Sequence, residues 1–119
     1  MTPLSLAASN GHLEVIKFLL GVKANVESKD KNRWTPLSSA AFHGHLEVVK
    51  FLVKEAGADV ESKTTNGWTP LSLMAAKGHL EVVKFLVNEA NADVESKTTS
   101  GVTPLSLAAS NGHLEVVKF

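Results

Sequence analysis

Histidine and serine recur along this chain at a regular spacing, and both residue types can do chemistry. An imidazole can bind zinc, or it can take a proton from a serine hydroxyl that then acts as a nucleophile. The recurring residues are His12, His45, His79 and His113, and Ser5, Ser38, Ser72 and Ser106. Both sets are spaced by 33 or 34 residues. Zinc holds its nitrogen ligands at about 2.0–2.1 Å, and residues one repeating unit apart cannot converge that closely.

The serines also lack the pattern that nucleophilic catalysis needs. None has a positioned base with an orienting acid, and a catalytic site is usually single, whereas these hydroxyls recur in every unit. Glutamates recur as well, each three residues before a lysine: Glu14, Glu47, Glu81 and Glu115. That spacing makes the two charges neighbours on a solvated helix face, not an acid–base dyad. The sequence therefore predicts no enzyme, no catalytic residue, no metal site and no cofactor.

The first element of each unit is a short helix, best seen at residues 69–78. Thr69 suits the N-cap, because its hydroxyl can accept a hydrogen bond from an unpaired helix amide. Pro70 suits the first helical position, and Gly78 suits a left-handed residue that ends the helix. The small leucine and alanine side chains between them allow close stacking of such helices.

The rest of the unit predicts a second helix and a connector. Within residues 79–90, one buried stripe at helical spacing is predicted for Leu80, Val83, Leu86 and Val87. Residues 91–102 contain turn residues and no helical stripe, so they predict an extended, hairpin-like connector with a tight turn near its end.

Neither helix is long enough to be stable alone in water, so neighbouring units must stack to bury their apolar faces. The sequence predicts one domain over residues 1–119, built from repeats at 2–34, 35–68 and 69–102 and a partial repeat at 103–119. Residues 2–15 and 103–116 are identical at all fourteen positions, which chance does not produce. No repeat has the polar outer face typical of a capping repeat, so we expect both ends of the stack to be open.

The period and its motifs resemble those of the ankyrin repeat family. Thr-Pro-Leu-x-x-Ala-Ala-x-x-Gly-His and Ala-Asp-Val recur, and the resemblance covers essentially the whole chain. It implies an all-α repeat solenoid of helix pairs with projecting β-hairpin loops, in which hairpin tips and first helices line a concave binding groove. It also implies that the recurring histidines form structural hydrogen bonds at helix starts. One departure is Arg33, which aligns with Gly67 and Gly101, and there we expect strain or a changed turn.

Composition narrows the function classes further. The chain has 119 residues, 44% of them apolar, no cysteine, and twelve basic residues balanced by twelve acidic ones. Disulfides and thiol chemistry are therefore excluded, and no apolar run approaches the roughly 20 residues of a membrane span. The start at Met1 does not resemble a signal peptide. We expect a soluble, cytoplasmic protein that contacts neither nucleic acid nor membrane, since the glutamates beside the basic hairpin tips offset their charge.

The positions at which the repeats differ are the candidate binding positions. Aromatic residues dominate binding hot spots, so Trp34, Phe42 and Trp68 are the predicted anchors. The residues predicted around them are His43, Lys31, Asn66 and Lys77. Two alternatives stay open at this point: the tryptophans pack against neighbouring hairpins and support the turns, and the phenylalanine fills a gap between first helices.

The sequence thus favours a non-enzymatic module that binds a protein partner through the concave groove. The alternative is a structural or engineered segment that stacks end to end on further copies through its open terminal repeats.

Overall fold

The structure is a computed structural model that describes residues 2–119, and the ordered elements in this range are all helices. The first helix of each repeat is α1 (Pro3–Ser9), α3 (Pro36–Phe42), α5 (Pro70–Lys77) and α7 (Pro104–Ser110). The second helices are α2 (Leu13–Gly21), α4 (Leu46–Lys54), α6 (Leu80–Asn88) and α8 (Leu114–Lys118). None of these helices is long and apolar enough to cross a membrane.

The first helices begin as their sequence predicts. In α5 the Thr69 hydroxyl accepts a hydrogen bond from the Ser72 amide at 3.2 Å, Pro70 occupies the first position, and Gly78 ends the helix with φ +77°. The threonine caps of the other three first helices accept the equivalent bond at 3.1–3.2 Å. The hydrogen bonds that cap the start of each first helix are thus all made within its own repeat.

The second helices bury a broader face than the predicted stripe. In α6, Val83 and Leu86 are buried as expected, but Val82 and Phe85 are buried too. Leu80 and Val87 are only half-buried. The difference arises because α6 is covered from two sides, by its own first helix α5 and by the second helices of neighbouring repeats.

The helices form two rows. Contacts between successive first helices run from α1 to α7, and in the second row α6 contacts both α4 and α8. The molecule measures 40 × 26 × 21 Å, so it is elongated. Its core is continuous through the stack, and its largest fully buried apolar residues are Leu4, Ile16, Leu37, Leu52, Met74 and Leu86. This arrangement is an all-α repeat solenoid.

The loops between repeats are tight hydrogen-bonded turns, and no β-strand is present within residues 2–119. In the second loop, the Thr64 amide donates to the Trp68 carbonyl at 2.9 Å, while the Trp68 amide donates to the Thr64 hydroxyl at 3.2 Å. Neighbouring turns are joined by the Thr65 amide, which donates to the Asn32 carbonyl at 3.0 Å. The expected hairpins are therefore short closed turns tied side by side.

Arg33 keeps the turn conformation of its glycine counterparts. Its φ is +65°, compared with +78° at Gly67 and +79° at Gly101. The turn is thus unchanged, and the arginine carries strain of about 1–2 kcal/mol, the usual cost of a left-handed conformation for a residue with a Cβ.

Candidate functional site

The recurring histidines link adjacent repeats. The Nε2 atom of His45 lies 2.9 Å from the carbonyl oxygen of Ser9, and that of His79 lies 3.0 Å from the carbonyl of Phe42. His113 bonds to the carbonyl of Ala76 in the same way, at 2.8 Å. A carbonyl only accepts, so each Nε2 carries the proton that it donates. These imidazoles hold the end of one first helix to the start of the next repeat's second helix.

The recurring serines are occupied inside their own repeats. The Ser38 hydroxyl is buried and lies 3.1 Å from the Thr35 hydroxyl, and the same pair recurs at Ser72 and Thr69, again at 3.1 Å. No imidazole takes part in these bonds. The arrangement secures the helix start and does not activate a nucleophile.

The recurring acids lie on the exposed surface of the second helices. Glu14 and Glu81 pair with the lysine three residues later at 3.5 and 3.9 Å. Across the part of the chain that the structure describes, no cluster of three or more His, Asp or Glu side chains is placed to hold a metal ion. The glutamates therefore form solvated ion pairs of small energetic value.

Four of the predicted binding residues meet in one group, named here the aromatic cluster: Trp34, Phe42, His43 and Lys77. The Trp34 and Phe42 rings meet edge to face, with centroids 5.2 Å apart at 76°. The His43 ring meets Phe42 at 5.1 Å, and the Lys77 ammonium lies 5.0 Å from the centre of the Phe42 ring. Phe42 is thus the centre of the cluster, and α3, α5 and the first turn all contribute to it.

The cluster is accessible from solvent. Trp34 and Phe42 are half-buried, whereas His43 and Lys77 are exposed. An aromatic pair that is partly covered from below and flanked by charged groups is typical of a binding surface and also of a supported turn. The packing of Trp34 and Phe42 therefore fits a role in binding and also a role in supporting the first turn.

The other three predicted residues lie outside the cluster. Lys31 and Asn66 are exposed at the tips of the first and second turns. Asn66 and Trp34 line a cavity of about 290 Å³ between these turns. Trp68 is half-buried and has no aromatic or cation partner within residues 2–119. The reason is that Ala76 stands in its repeat where Phe42 stands for Trp34.

Partial loss of water around its ring lowers the pKa of His43 below the usual value. The positive charges of His45, Lys77 and His79 lower that pKa further. No carboxylate is among the charged groups that act on His43. The charged groups that act on His43 are thus all basic.

Sequence reasoning missed the contacts made by the loop glutamates. A carboxylate oxygen of Glu27 accepts the Asp59 amide at 2.7 Å, and Glu61 accepts the Asp93 amide at 2.8 Å. The only signal was that the same glutamate recurs in each loop, which a solvated charge would show equally well. The predicted binding residues also did not include Asn32, Thr64 and Thr65, which complete the lining of the cavity beside Trp34.

A family model described as ankyrin repeats (3 copies) matches the chain at residues 1–64 and 56–119. No curated protein matches the chain.

Proposed function

The chain belongs to the ankyrin repeat family, and from this we propose that it binds a protein partner through its turn tips and first helices. Ankyrin repeats are generally protein–protein interaction modules and are typically not catalytic. The proposal for this chain is therefore an interaction module without an enzymatic activity of its own. The cytoplasmic location stays a prediction, which cell fractionation with an antibody to the chain would test.

The observation that carries the proposal is the aromatic cluster. It forms at positions where the repeats differ, whereas positions that repeat without change serve caps, core and inter-repeat bonds. The proposed surface extends from the cluster to the turn tips. Its residues are Trp34, Phe42, His43, Lys77, Lys31, Asn66 and Trp68. A rigid stacked scaffold presents these side chains with little loss of entropy on binding.

The repeats themselves supply substitutions for the test. Val102 is the equivalent of Trp34, and serine is the equivalent of Phe42 in the first and fourth repeats. The double variant Trp34→Val, Phe42→Ser therefore uses residues that the same fold already holds at these positions. A matched control, Glu47→Gln with Glu81→Gln, changes only the exposed surface of the second helices.

The experiment is an affinity pull-down from cell extract with wild type, double variant and control, read by quantitative mass spectrometry. We expect proteins recovered by wild type and control to be depleted with the double variant, while its melting temperature stays near that of wild type. Equal recovery by all three would contradict the proposed surface. A collapse of melting in the double variant would assign the aromatic pair to the support of the turn.

A second candidate function, end-to-end stacking of copies, is favoured by the two end faces. Leu71 in α5 is 2% exposed because α7 covers it, but the equivalent Leu105 in α7 is 58% exposed. At the other end, Leu6 in α1 is 48% exposed, whereas its equivalent Leu107 is 9% exposed against α5. The sequences of α1 and α7 are identical, so α1 of a second copy offers α7 the same side chains that α7 offers α5.

The occupant proposed for the open α7–α8 face is thus the first repeat of another copy. A cavity of about 340 Å³ lies there, lined in part by Leu105, Val117 and Phe119. Light scattering over a concentration series would show a mass that increases with concentration, and Leu105→Lys would abolish the increase. A monomeric mass at every concentration would contradict this second function.

A further inference from the structure

The ion pairs of the protein are distributed unevenly. Within residues 2–119 there are four, and each uses a lysine of a second helix: Lys17–Glu14, Lys50–Glu47, Lys54–Glu89 and Lys84–Glu81. The basic residues on the side of the turn tips and first helices, Lys31, Arg33 and Lys77, are in none of these pairs. Their charges are therefore available to a ligand.

The carboxylates of the loops are bound to backbone amides. Asp30 accepts the amides of Asn32 and Trp34 at 2.8 and 3.0 Å. Glu27 and Glu61 each accept an amide of the next loop. These acids hold the turns and join one loop to the next, and they keep their negative charges. The first turn still has one positive charge in excess, since Lys29, Lys31 and Arg33 stand against Glu27 and Asp30.

The cations adjoin apolar surface. The Lys77 ammonium lies over the Phe42 ring, and this cation–π contact holds the positive charge beside the aromatic pair. Trp34 contacts Phe42 and also lines the cavity of about 290 Å³ between the first two turns. The other residues that line this cavity are polar: Asn32, Thr64, Thr65 and Asn66. An aromatic or aliphatic side chain therefore finds its apolar contact on the rings of Trp34 and Phe42, while carboxylates reach the exposed charges around them.

Resting on the proposed function, we infer that the partner presents to this surface an acidic peptide segment with an apolar anchor residue. The carboxylates of the segment pair with Lys77 and His43 on one side and with Lys31 and Arg33 on the other. The anchor packs against Trp34. A basic segment would meet like charges, and a neutral one would leave the cations without partners.

Protonation of His43 is coupled to this binding. The groups that act on its ring are His45, Lys77 and His79, all capable of positive charge and none acidic. A carboxylate placed beside the ring supplies the missing negative charge and raises the pKa of His43, so the ring takes up a proton on binding at a pH between its free and bound pKa values. Affinity for an acidic segment therefore increases as the pH falls through the pKa of the bound ring.

The experiment uses the full chain and a random peptide library of about 12 residues displayed on phage. Wild type is compared with the variant Trp34→Val, Phe42→Ser, His43→Asn, Lys77→Asn. Asparagine is the residue at the positions equivalent to His43 and Lys77 in the first and fourth repeats, where Asn10 and Asn111 bond a helix carbonyl at 2.9 and 2.8 Å. The variant is thus built from residues that the fold already accepts.

We expect the peptides that depend on the wild-type surface to be rich in Asp and Glu around an aromatic or aliphatic residue. A synthetic peptide of that sequence, labelled with fluorescein, gives the affinities by anisotropy. Lys77→Asn alone should weaken binding by up to about fivefold, the effect of one exposed charge contact. Replacing all the acids of the peptide by amides should weaken it more, because every charge contact is lost. His43→Asn should remove the pH dependence of the affinity.

The possible failures can be told apart. Wild-type-dependent peptides that are neutral or basic would overturn the acidic partner and leave the proposed interaction surface in place. Peptides that bind wild type and variant equally would contradict the surface itself. A labelled single-stranded oligothymidine that binds the cluster more tightly than the acidic peptide would overturn the inference in favour of a nucleic acid.

Discussion

At the scale of single residues, Gly67 and Gly101 occupy equivalent turns with φ of +78° and +79°, but their neighbours differ. A Cβ on Gly67 would lie 2.9 Å from the Thr99 amide nitrogen, whereas a Cβ on Gly101 would have no atom within 4 Å. Both alanine variants carry left-handed strain of about 1–2 kcal/mol. Gly67→Ala should lose about 1–3 kcal/mol more, because rigid backbone must move.

Urea unfolding of the two alanine variants, followed by circular dichroism, measures this difference directly. Equal losses of unfolding free energy would contradict the close approach of the second and third turns, because the strain common to both variants cancels in the comparison.

His43 makes stability depend on pH. Its pKa in the folded protein is below 6.5, so between that value and the folded pKa the unfolded chain binds more protons than the folded one. Stability from this group is complete above about pH 6.5 and is lost as the pH falls through the folded pKa. In thermal melts between pH 8 and 5, His43→Asn should decline less on acidification than wild type. Parallel curves would contradict this effect.

At the scale of elements, the histidine links predict unequal effects of equivalent substitutions. His79→Ala removes the bond to the Phe42 carbonyl and should cost about 1–2 kcal/mol of unfolding free energy. His12 is exposed and makes no such bond in the described range, so His12→Ala should cost less than about 0.5 kcal/mol. Both values come from denaturant unfolding. A loss at His12 as large as that at His79 would show that the histidine acts inside its own repeat.

Elements could be predicted from the sequence where their cause is local. Thr69 and Pro70 start α5 through bonds and dihedral preferences within three residues, so the motif predicts where the helix begins. The contact between Trp34 and Phe42 could not be predicted in the same way. It depends on how the first turn folds back onto the end of α3, which spacing along the chain does not define.

The sequence named the residues of the aromatic cluster, but it did not predict which of the seven candidate residues would contact one another. Trp34 and Trp68 look equivalent in the sequence, yet the clustered one has Phe42 beside it and the other has Ala76. The bond from the Asp59 amide to Glu27 joins groups 32 residues apart, and an exposed glutamate gives no sign of such a partner in its own neighbourhood. Contacts between repeats depend on how the repeats are placed relative to one another, and the sequence of a single repeat does not show this placement.

At the scale of the whole molecule, each repeat is stabilised mainly by its neighbours, so opening should be easiest at the ends of the 119-residue chain. Helices α3 and α5 are covered on both sides, while α8 is short and Leu114 is 58% exposed. In native-state hydrogen exchange read by mass spectrometry, we expect the amides of α3 and α5 to be protected longest. Those of α2 and α8 should exchange first, since Phe18 in α2 is 69% exposed.

The slowest amides should report global unfolding, and the fast ones should report local opening that leaves the central repeats folded. Gly67→Ala, which disturbs the junction between the second and third turns, should accelerate exchange in α3 and α5 more than Gly101→Ala does. Uniform protection along the chain would mean that the helices unfold as one cooperative unit, which would contradict a stack held together by nearest-neighbour contacts.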